Sequence, residues 1–325
     1  MPRRPRSRRQ PPPLPPRDGV GAARVRMPVQ GQWGSVADFL VDRTGDEPGV
    51  WRRIRSKEVL LDDGTVVGAS TTYRPGRSAY LYRDLPEEVP VPWELTVLLQ
   101  DEETGLLAVD KPPFLATMPR GAHVVQSAVV RLRRDLDLPE LSPLHRLDRL
   151  TSGVLLLAAR AEVRSAYQRM VQDGGLSKTY QALAPLRPDL ELPLTVCNRL
   201  VKRRGSLQTV VEEGAPNAIT RVELIEPDEL ARLGDVVEAP RPRSVGCYRL
   251  TPTTGQTHQL RIHLAGLGIP ILGDPLYPKV TPVDPRDFTT PLQLLAQEVR
   301  FLDPITGVRR VVRSRQALPI LGVGY

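Results

Sequence analysis

The sequence predicts an α+β chain whose larger part is a mixed, largely antiparallel sheet. Three observations carry this. Short apolar runs recur with strand character at 106–109, 154–158, 180–184, 218–224, 245–250, 259–264 and 308–312. Helical spacing is confined to a few stretches, chiefly 35–43, 123–136 and 162–173. The strands do not alternate regularly with those helices, which argues against a doubly wound parallel sheet. No internal repeat is visible.

In chain order, residues 1–28 are mostly Arg, Pro, Gln and Ser with little to bury, and are expected to be a disordered basic tail. Residues 29–86 form a small basic unit. Val36, Phe39 and Leu40 make a short helical stripe, and a loop with Gly45, Pro48 and Gly49 follows. Trp51, Ile54 and Val59 continue the apolar pattern, interleaved with Arg52, Arg53, Arg55 and Lys57. Residues 59–61 and 65–67 flank Asp62-Asp63-Gly64 and read as a hairpin, and Pro75-Gly76 turns the chain again before 79–82. Residues 87–98 hold Pro90 and Pro92 and read as a linker. Residues 99–325 make the large domain. Its first strand ends at Asp110-Lys111-Pro112-Pro113. Val124, Ser127, Ala128 and Leu132 mark one helix, and Val163, Tyr167, Met170 and Val171 another that stops at Gly174.

Composition narrows the functional classes. Hydrophobic residues are 40% and charged residues 25% of the 325, as in ordinary soluble proteins. No apolar run approaches the ~20 residues that span a bilayer. The basic N-terminus has no apolar core of a secretory signal. Cys197 and Cys247 are the only cysteines. That argues against a disulfide framework or a cysteine zinc site and points to a reducing cytoplasm. Lys and Arg number 45 against 37 Asp and Glu, for a net charge of +8. A polyanionic partner, usually nucleic acid, suits this excess. Arginine outnumbers lysine, and guanidinium groups grip phosphates in pairs and stack on bases. No long apolar face is left unassigned, so a monomer is expected.

The segment richest in chemistry is Leu144-His145-Arg146-Leu147-Asp148-Arg149-Leu150-Thr151-Ser152-Gly153 running into Val154-Leu155-Leu156-Leu157-Ala158. A carboxylate sits between two arginines in a polar loop that feeds a buried strand. Nearby positive charge favours the charged form of a carboxylate, and such a group can act as nucleophile or base. By itself this also fits a structural Asp–Arg pair.

Three further segments change that reading. Leu107-Ala108-Val109-Asp110-Lys111-Pro112-Pro113 precedes the loop. Ser177-Lys178-Thr179-Tyr180-Gln181-Ala182 follows it. Thr251-Pro252-Thr253-Thr254-Gly255-Gln256-Thr257-His258-Gln259-Leu260-Arg261-Ile262-His263-Leu264 comes last, continuing into Gly273-Asp274-Pro275-Leu276-Tyr277. Together, in this order, the four blocks resemble the RluA-type RNA pseudouridine synthases over roughly residues 100–315. Gln256 departs from the Arg or Lys usual there, which removes a cation expected near phosphate. The helix, basic helix and hairpin of residues 29–86 resemble the small RNA-binding module named after a ribosomal small-subunit protein, the S-four fold. Asp63-Gly64 stands for its usual Asn-Gly turn, with equivalent backbone chemistry.

The resemblance implies a reaction that isomerises uridine within RNA, ribosomal or transfer, without cofactor or metal. Asp148 would be the catalytic carboxylate. Arg261 would pair with it, and Tyr180 would lie against the uracil with its hydroxyl placed for late proton removal. Arg146 would fill the space left by the flipped base. Arg149, Thr151, Lys178 and Gln259 would contact RNA in the large domain, and Arg52, Arg53 and Arg55 in the small one. His145, His258 and His263 are expected to support loops and core. Two alternatives stand beside this. One is a related synthase branch, which usually has Gly in place of His145. The other is an inactive RNA-binding protein, against which the intact Asp148, Tyr180 and Arg261 speak.

Overall fold

The computed structural model describes residues 12–85, 87–226 and 244–318, and divides the chain into units 1–87 and 88–325. Residues 1–11 of the expected tail lie outside the described residues.

The first unit is a three-stranded antiparallel sheet with two helices. Its elements are β1 (Ala23–Arg26), α1 (Val36–Thr44), α2 (Glu47–Arg55), β2 (Val59–Leu61) and β3 (Ser78–Leu81), with strand order β1-β3-β2. Ser35 caps α1 by accepting from the Asp38 amide at 3.0 Å, while Asp38 accepts from the Ser35 amide at 3.1 Å. Gly45, at φ +67°, ends the helix in the left-handed conformation. Asp46 caps α2, and Pro48 and Gly49, expected in a loop, form its first turn. Proline fits there because the first-turn amides have no helical partner. Trp33, Phe39 and Tyr73 pack ring on ring with centroids 5.0–5.5 Å apart, and Met27, Leu40, Ile54 and Val59 complete the core.

The expectation of a disordered tail is corrected for residues 23–28. Ala23–Arg26 pairs with β3, and Met27 is fully buried. Alternation of Ala23, Val25 and Met27 with Arg24 and Arg26 is the strand signal, masked by the Pro and Arg richness before it.

The second unit is built on an eleven-stranded sheet. Its strands are β4 (Thr96–Asp101), β5 (Leu106–Lys111), β6 (Ser142–Pro143), β7 (Ser152–Ala158), β8 (Ser177–Pro185), β9 (Leu194–Val201), β10 (Val210–Glu212), β11 (Ala218–Leu224), β12 (Val245–Pro252), β13 (Leu294–Leu302) and β14 (Arg309–Arg313). The main order is β10-β9-β11-β12-β8-β13-β7-β5-β4, with β14 on β13 and β6 on β7. Every pairing among these is antiparallel except β13 with β7. Helices α3 (Ala128–Asp135), α4 (Ala161–Gln172) and α5 (Gln259–Gly266) complete the described elements. All seven residues of β7 are buried, as expected for its unbroken apolar run.

Two expectations are corrected here. Residues 259–264 are helix, not strand. Polar and apolar residues alternate there, yet Gln259, Leu260, Arg261, His263 and Leu264 are all buried. The polar ones have internal partners, so the alternation is between two kinds of buried residue and not between core and solvent. Of the expected linker 87–98, residues 88–98 are built into the second unit. Glu88 accepts from the amides of Val124, Val125 and Gln126 at 2.7–2.9 Å, Val91 is buried, and β4 starts at Thr96. Those three amides are bound by a carboxylate, and the helix expected from 123 begins at Ala128.

Gly153 joins the two central strands. Its φ is +106°, and a Cβ there would stand 2.3 Å from the Ala296 carbonyl oxygen. Only glycine allows β7 to meet β13 so closely. This crossing fixes where the preceding loop emerges.

Candidate active site

The loop of residues 144–151 is held by its backbone. The Thr117 hydroxyl donates to the Leu147 carbonyl at 2.7 Å and accepts from the Leu147 amide at 3.2 Å. Leu147 and Leu150 are buried. The Lys111 ammonium, itself fully buried, donates to the carbonyls of Pro112, Leu115 and Arg149. Burial pushes Lys111 down to about 7, against the pull of Asp148. His145 Nε2 accepts from the Leu156 amide at 3.1 Å, and burial pushes the imidazole down to about 3, so it is neutral and structural. What this loop presents is Asp148 and Arg146.

They open on a cleft of about 610 Å³, lined also by Thr151, Lys178, Tyr180, the 251–257 segment, His258, Gln259 and Arg261. The Asp148 side chain is 21% exposed. Its Oδ2 lies 3.8 Å from Arg261 Nη1 and 3.9 Å from His258 Nε2. The expected Arg261–Asp148 pair is therefore a secondary contact. Arg261 donates through Nε and Nη2 to both oxygens of Asp274, at 2.8 and 2.5 Å. The Asp274 side chain is fully buried and also accepts from the amides of Leu276 and Tyr277. Burial lowers the Arg261 guanidinium, but the Asp274 hydrogen bond and charge outweigh it and hold the group above its ordinary value. Asp274 thus orients the guanidinium and leaves one nitrogen facing Asp148.

His258 is the residue that sequence reasoning misplaced. It starts α5 at φ +57° and faces Asp148 instead of supporting the core. Its Nδ1 lies 3.1 Å from the Tyr277 hydroxyl, which accepts from the Thr209 amide at 2.6 Å. Burial pushes His258 down to about 4, opposed by Asp148, so the ring is neutral near pH 7. The Tyr277 hydroxyl also reaches the Thr209 carbonyl at 3.1 Å, so the tautomer of His258 is set by which of the two takes the phenol proton. The left-handed backbone of a histidine between Thr257 and Gln259 has no signal in residue spacing.

Tyr180 lies in the cleft wall, 9% exposed. Burial, then the charge of Asp148, raises its hydroxyl well above the ordinary range. It keeps its proton at neutral pH, so to act as a base it must first give up that proton.

The remaining expected contacts divide. Arg146 is exposed on the rim, and Thr151 and Lys178 line the cleft. Gln259 also lines it, but its amide is engaged with Ile219, Thr220, Thr254 and Gln256. It is a brace and not a free RNA contact. Arg149 points its Nη1 toward the Phe114 carbonyl at 3.5 Å and is not among the cleft-lining residues. In the first unit Arg53 is 5% exposed and donates to Tyr82, Asp46 and Asp84, so it is structural. Arg52 engages Asp84, while Arg55 is exposed. The Gln256 side chain reaches the Asn217 carbonyl at 3.3 Å. His263 lies between Thr220 and Asn198, as core support. Among the described residues no cluster of His, Cys, Asp and Glu is placed to hold a metal, and no helix is long and apolar enough to cross a membrane.

Known proteins share this architecture. A family model described as RNA pseudouridylate synthase matches residues 105–266. An uncharacterized RNA pseudouridine synthase of Haemophilus influenzae is 34% identical over 161 residues, 50% of this chain and 65% of that protein. The chain spans about a third of the length of the mouse and human pseudouridylate synthases RPUSD2, each 34% identical to it. The dual-specificity RNA pseudouridine synthase RluA of Haemophilus influenzae is 33% identical over 221 residues, 66% of this chain and 89% of that protein. The structure of human RNA pseudouridylate synthase domain containing 1 superposes with a TM-score of 0.53 at 23% identity, over 71% of this chain and 86% of that one, which supports the fold. With its cleft built around Asp148, this chain belongs to the RluA-type RNA pseudouridine synthase family.

Proposed function

We propose that the chain isomerises uridine in RNA to pseudouridine, with Asp148 as catalytic carboxylate. The observation that carries this is the asymmetric setting of Asp148. One oxygen faces Arg261 and the neutral His258, and the group opens on a cleft walled by Tyr180. The bond from the sugar to nitrogen 1 breaks, the uracil turns, and carbon 5 bonds to the sugar. The carbon 5 proton is lost and nitrogen 1 gains one, so no net redox change occurs and no cofactor is required. Arg261 and His258 steady Asp148 while it acts. Tyr180 flanks the base, and its hydroxyl takes the carbon 5 proton only while passing its own proton on to solvent or nitrogen 1. Reaching the cleft requires the uridine to leave its stack, at a cost of a few kcal/mol. Arg146, exposed on the rim, is placed to fill the gap.

The first unit acts as an RNA-binding module of the S-four kind, with Arg55 and Arg52 on its surface. The substrate is ribosomal or transfer RNA, met by a monomer in the cytoplasm. Mapping pseudouridine in cellular RNA from strains with wild-type protein and with Asp148→Asn tests the proposal. Loss of one or a few positions in the mutant supports it and names the substrate; an unchanged map in every RNA contradicts it. Deleting residues 1–85 should weaken RNA binding and its salt dependence.

A further inference from the structure

The cleft holds one cation whose situation the reaction above leaves unexplained. Lys178 is half-buried on β8, two residues before Tyr180, and both line the cleft. Among the described residues, no carboxylate or carbonyl accepts from its ammonium. The acidic residue on the paired strand, Glu298, is engaged with Arg300 and Arg313. Burial alone pulls Lys178 below its ordinary value, with no nearby charge offsetting it. Other buried cations of this unit differ: Lys111 has three carbonyls, Arg261 has Asp274. Removing an ammonium from water without a partner is costly, so an unpaired one in a cleft is poised for an anion.

Position identifies that anion. Residues i and i+2 of a strand face the same side, about 7 Å apart. If Tyr180 flanks the uracil, Lys178 stands roughly one ribose away, where a phosphate joins the nucleotide to its neighbour. The 251–257 segment lines the same cleft, and Gly255 is the residue of it that lies beside the Lys178 Nζ. We propose that Lys178 binds one of the two phosphates flanking the target uridine, fixing the flipped nucleotide by its backbone while Tyr180 holds its base. This rests on the uridine-isomerising reading of the cleft. It also gives a cation to a site where Gln256 supplies none.

The test uses the full chain and a synthetic RNA hairpin carrying the mapped uridine. The hairpin is made in three forms: natural, with a neutral methylphosphonate 5′ of the uridine, and with one 3′ of it. With wild-type protein, one neutral form should raise KM about tenfold or more, the loss of a charge-assisted hydrogen bond, with kcat nearly unchanged. Lys178→Met should raise KM on natural RNA by a similar factor and show no further rise with that neutral form. Lys178→Arg should restore most of the affinity. The thermal midpoint of Lys178→Met should not fall, because a desolvated ammonium is removed. The proposal is overturned if the lysine and phosphate effects multiply independently, or if Lys178→Met lowers stability without raising KM. If wild-type protein forms no pseudouridine in any hairpin, the reading of the cleft fails and the subsite fails with it.

Discussion

The first unit and the cleft of the second are both rich in basic side chains, yet they use them differently. On α2, Arg53 is buried with its guanidinium shared among Tyr82, Asp46 and Asp84, and Arg52 is tied to Asp84. In the cleft, Arg146 is exposed, Lys178 has no acceptor among the described residues, and Arg261 is held so that one nitrogen still faces Asp148. Charge in the small unit is partly structural glue, whereas charge in the cleft is left available for a ligand. The lesson is that a basic run does not announce an RNA surface; what counts is whether the donors already have acceptors.

The comparison can be broken or sharpened by substitution. Asp148→Asn should reduce pseudouridine formation by about 10³-fold or more while leaving RNA affinity near wild type, measured by turnover and filter binding. Asp274→Asn should strip Arg261 of its counter-charge. Leaving a buried guanidinium unpaired costs on the order of 3–5 kcal/mol, visible in denaturant unfolding, and turnover should fall with it. Arg53→Met should destabilise the first unit by about 1–3 kcal/mol, through the carbonyl and carboxylates left behind, with no change in kcat. Arg55→Ala should leave stability unchanged and lower the salt dependence of RNA binding by about one ion. If Arg53 and Arg55 behaved alike in both assays, the contrast between glue and available charge would be wrong.

Protonation offers a smaller lever. Burial lowers His145 to about 3 and both His258 and His263 to about 4. In the unfolded chain these imidazoles take up protons near pH 6.5. Between about 6.5 and 4 the unfolded state therefore binds more protons, and stability falls as the pH is lowered. The slope is up to about 1.4 kcal/mol per pH unit for each histidine. Urea unfolding at stepped pH checks this, and His263→Gln should flatten the curve.

Much of the architecture was legible in the sequence. Buried apolar runs gave β5 and β7, and the scarcity of helices pointed to an antiparallel sheet. Asp148 and Tyr180 were found from their motifs, and both line one cleft. What was hidden depended on partners far along the chain. Residues 259–264 alternate like a strand, but Thr220, Asn198 and Asp274 satisfy their polar side chains in the interior and let the segment coil into α5. Arg53 read as a surface cation because its acceptors lie in two separate segments, at Asp46 and at Tyr82 and Asp84. His258 gained its place from a left-handed backbone that residue spacing does not encode. Residues 23–27 were lost in a Pro- and Arg-rich context, although their alternation was present.

The most direct measurement of the central claim follows the uracil carbon 5 proton. RNA transcribed with uridine tritiated at carbon 5 is incubated with purified wild-type protein and with Asp148→Asn. Isomerisation releases that hydrogen to water, so wild-type protein should liberate tritium in proportion to the pseudouridine formed, and the mutant essentially none. Equal release by both proteins, or none from any RNA by the wild type, would contradict the account.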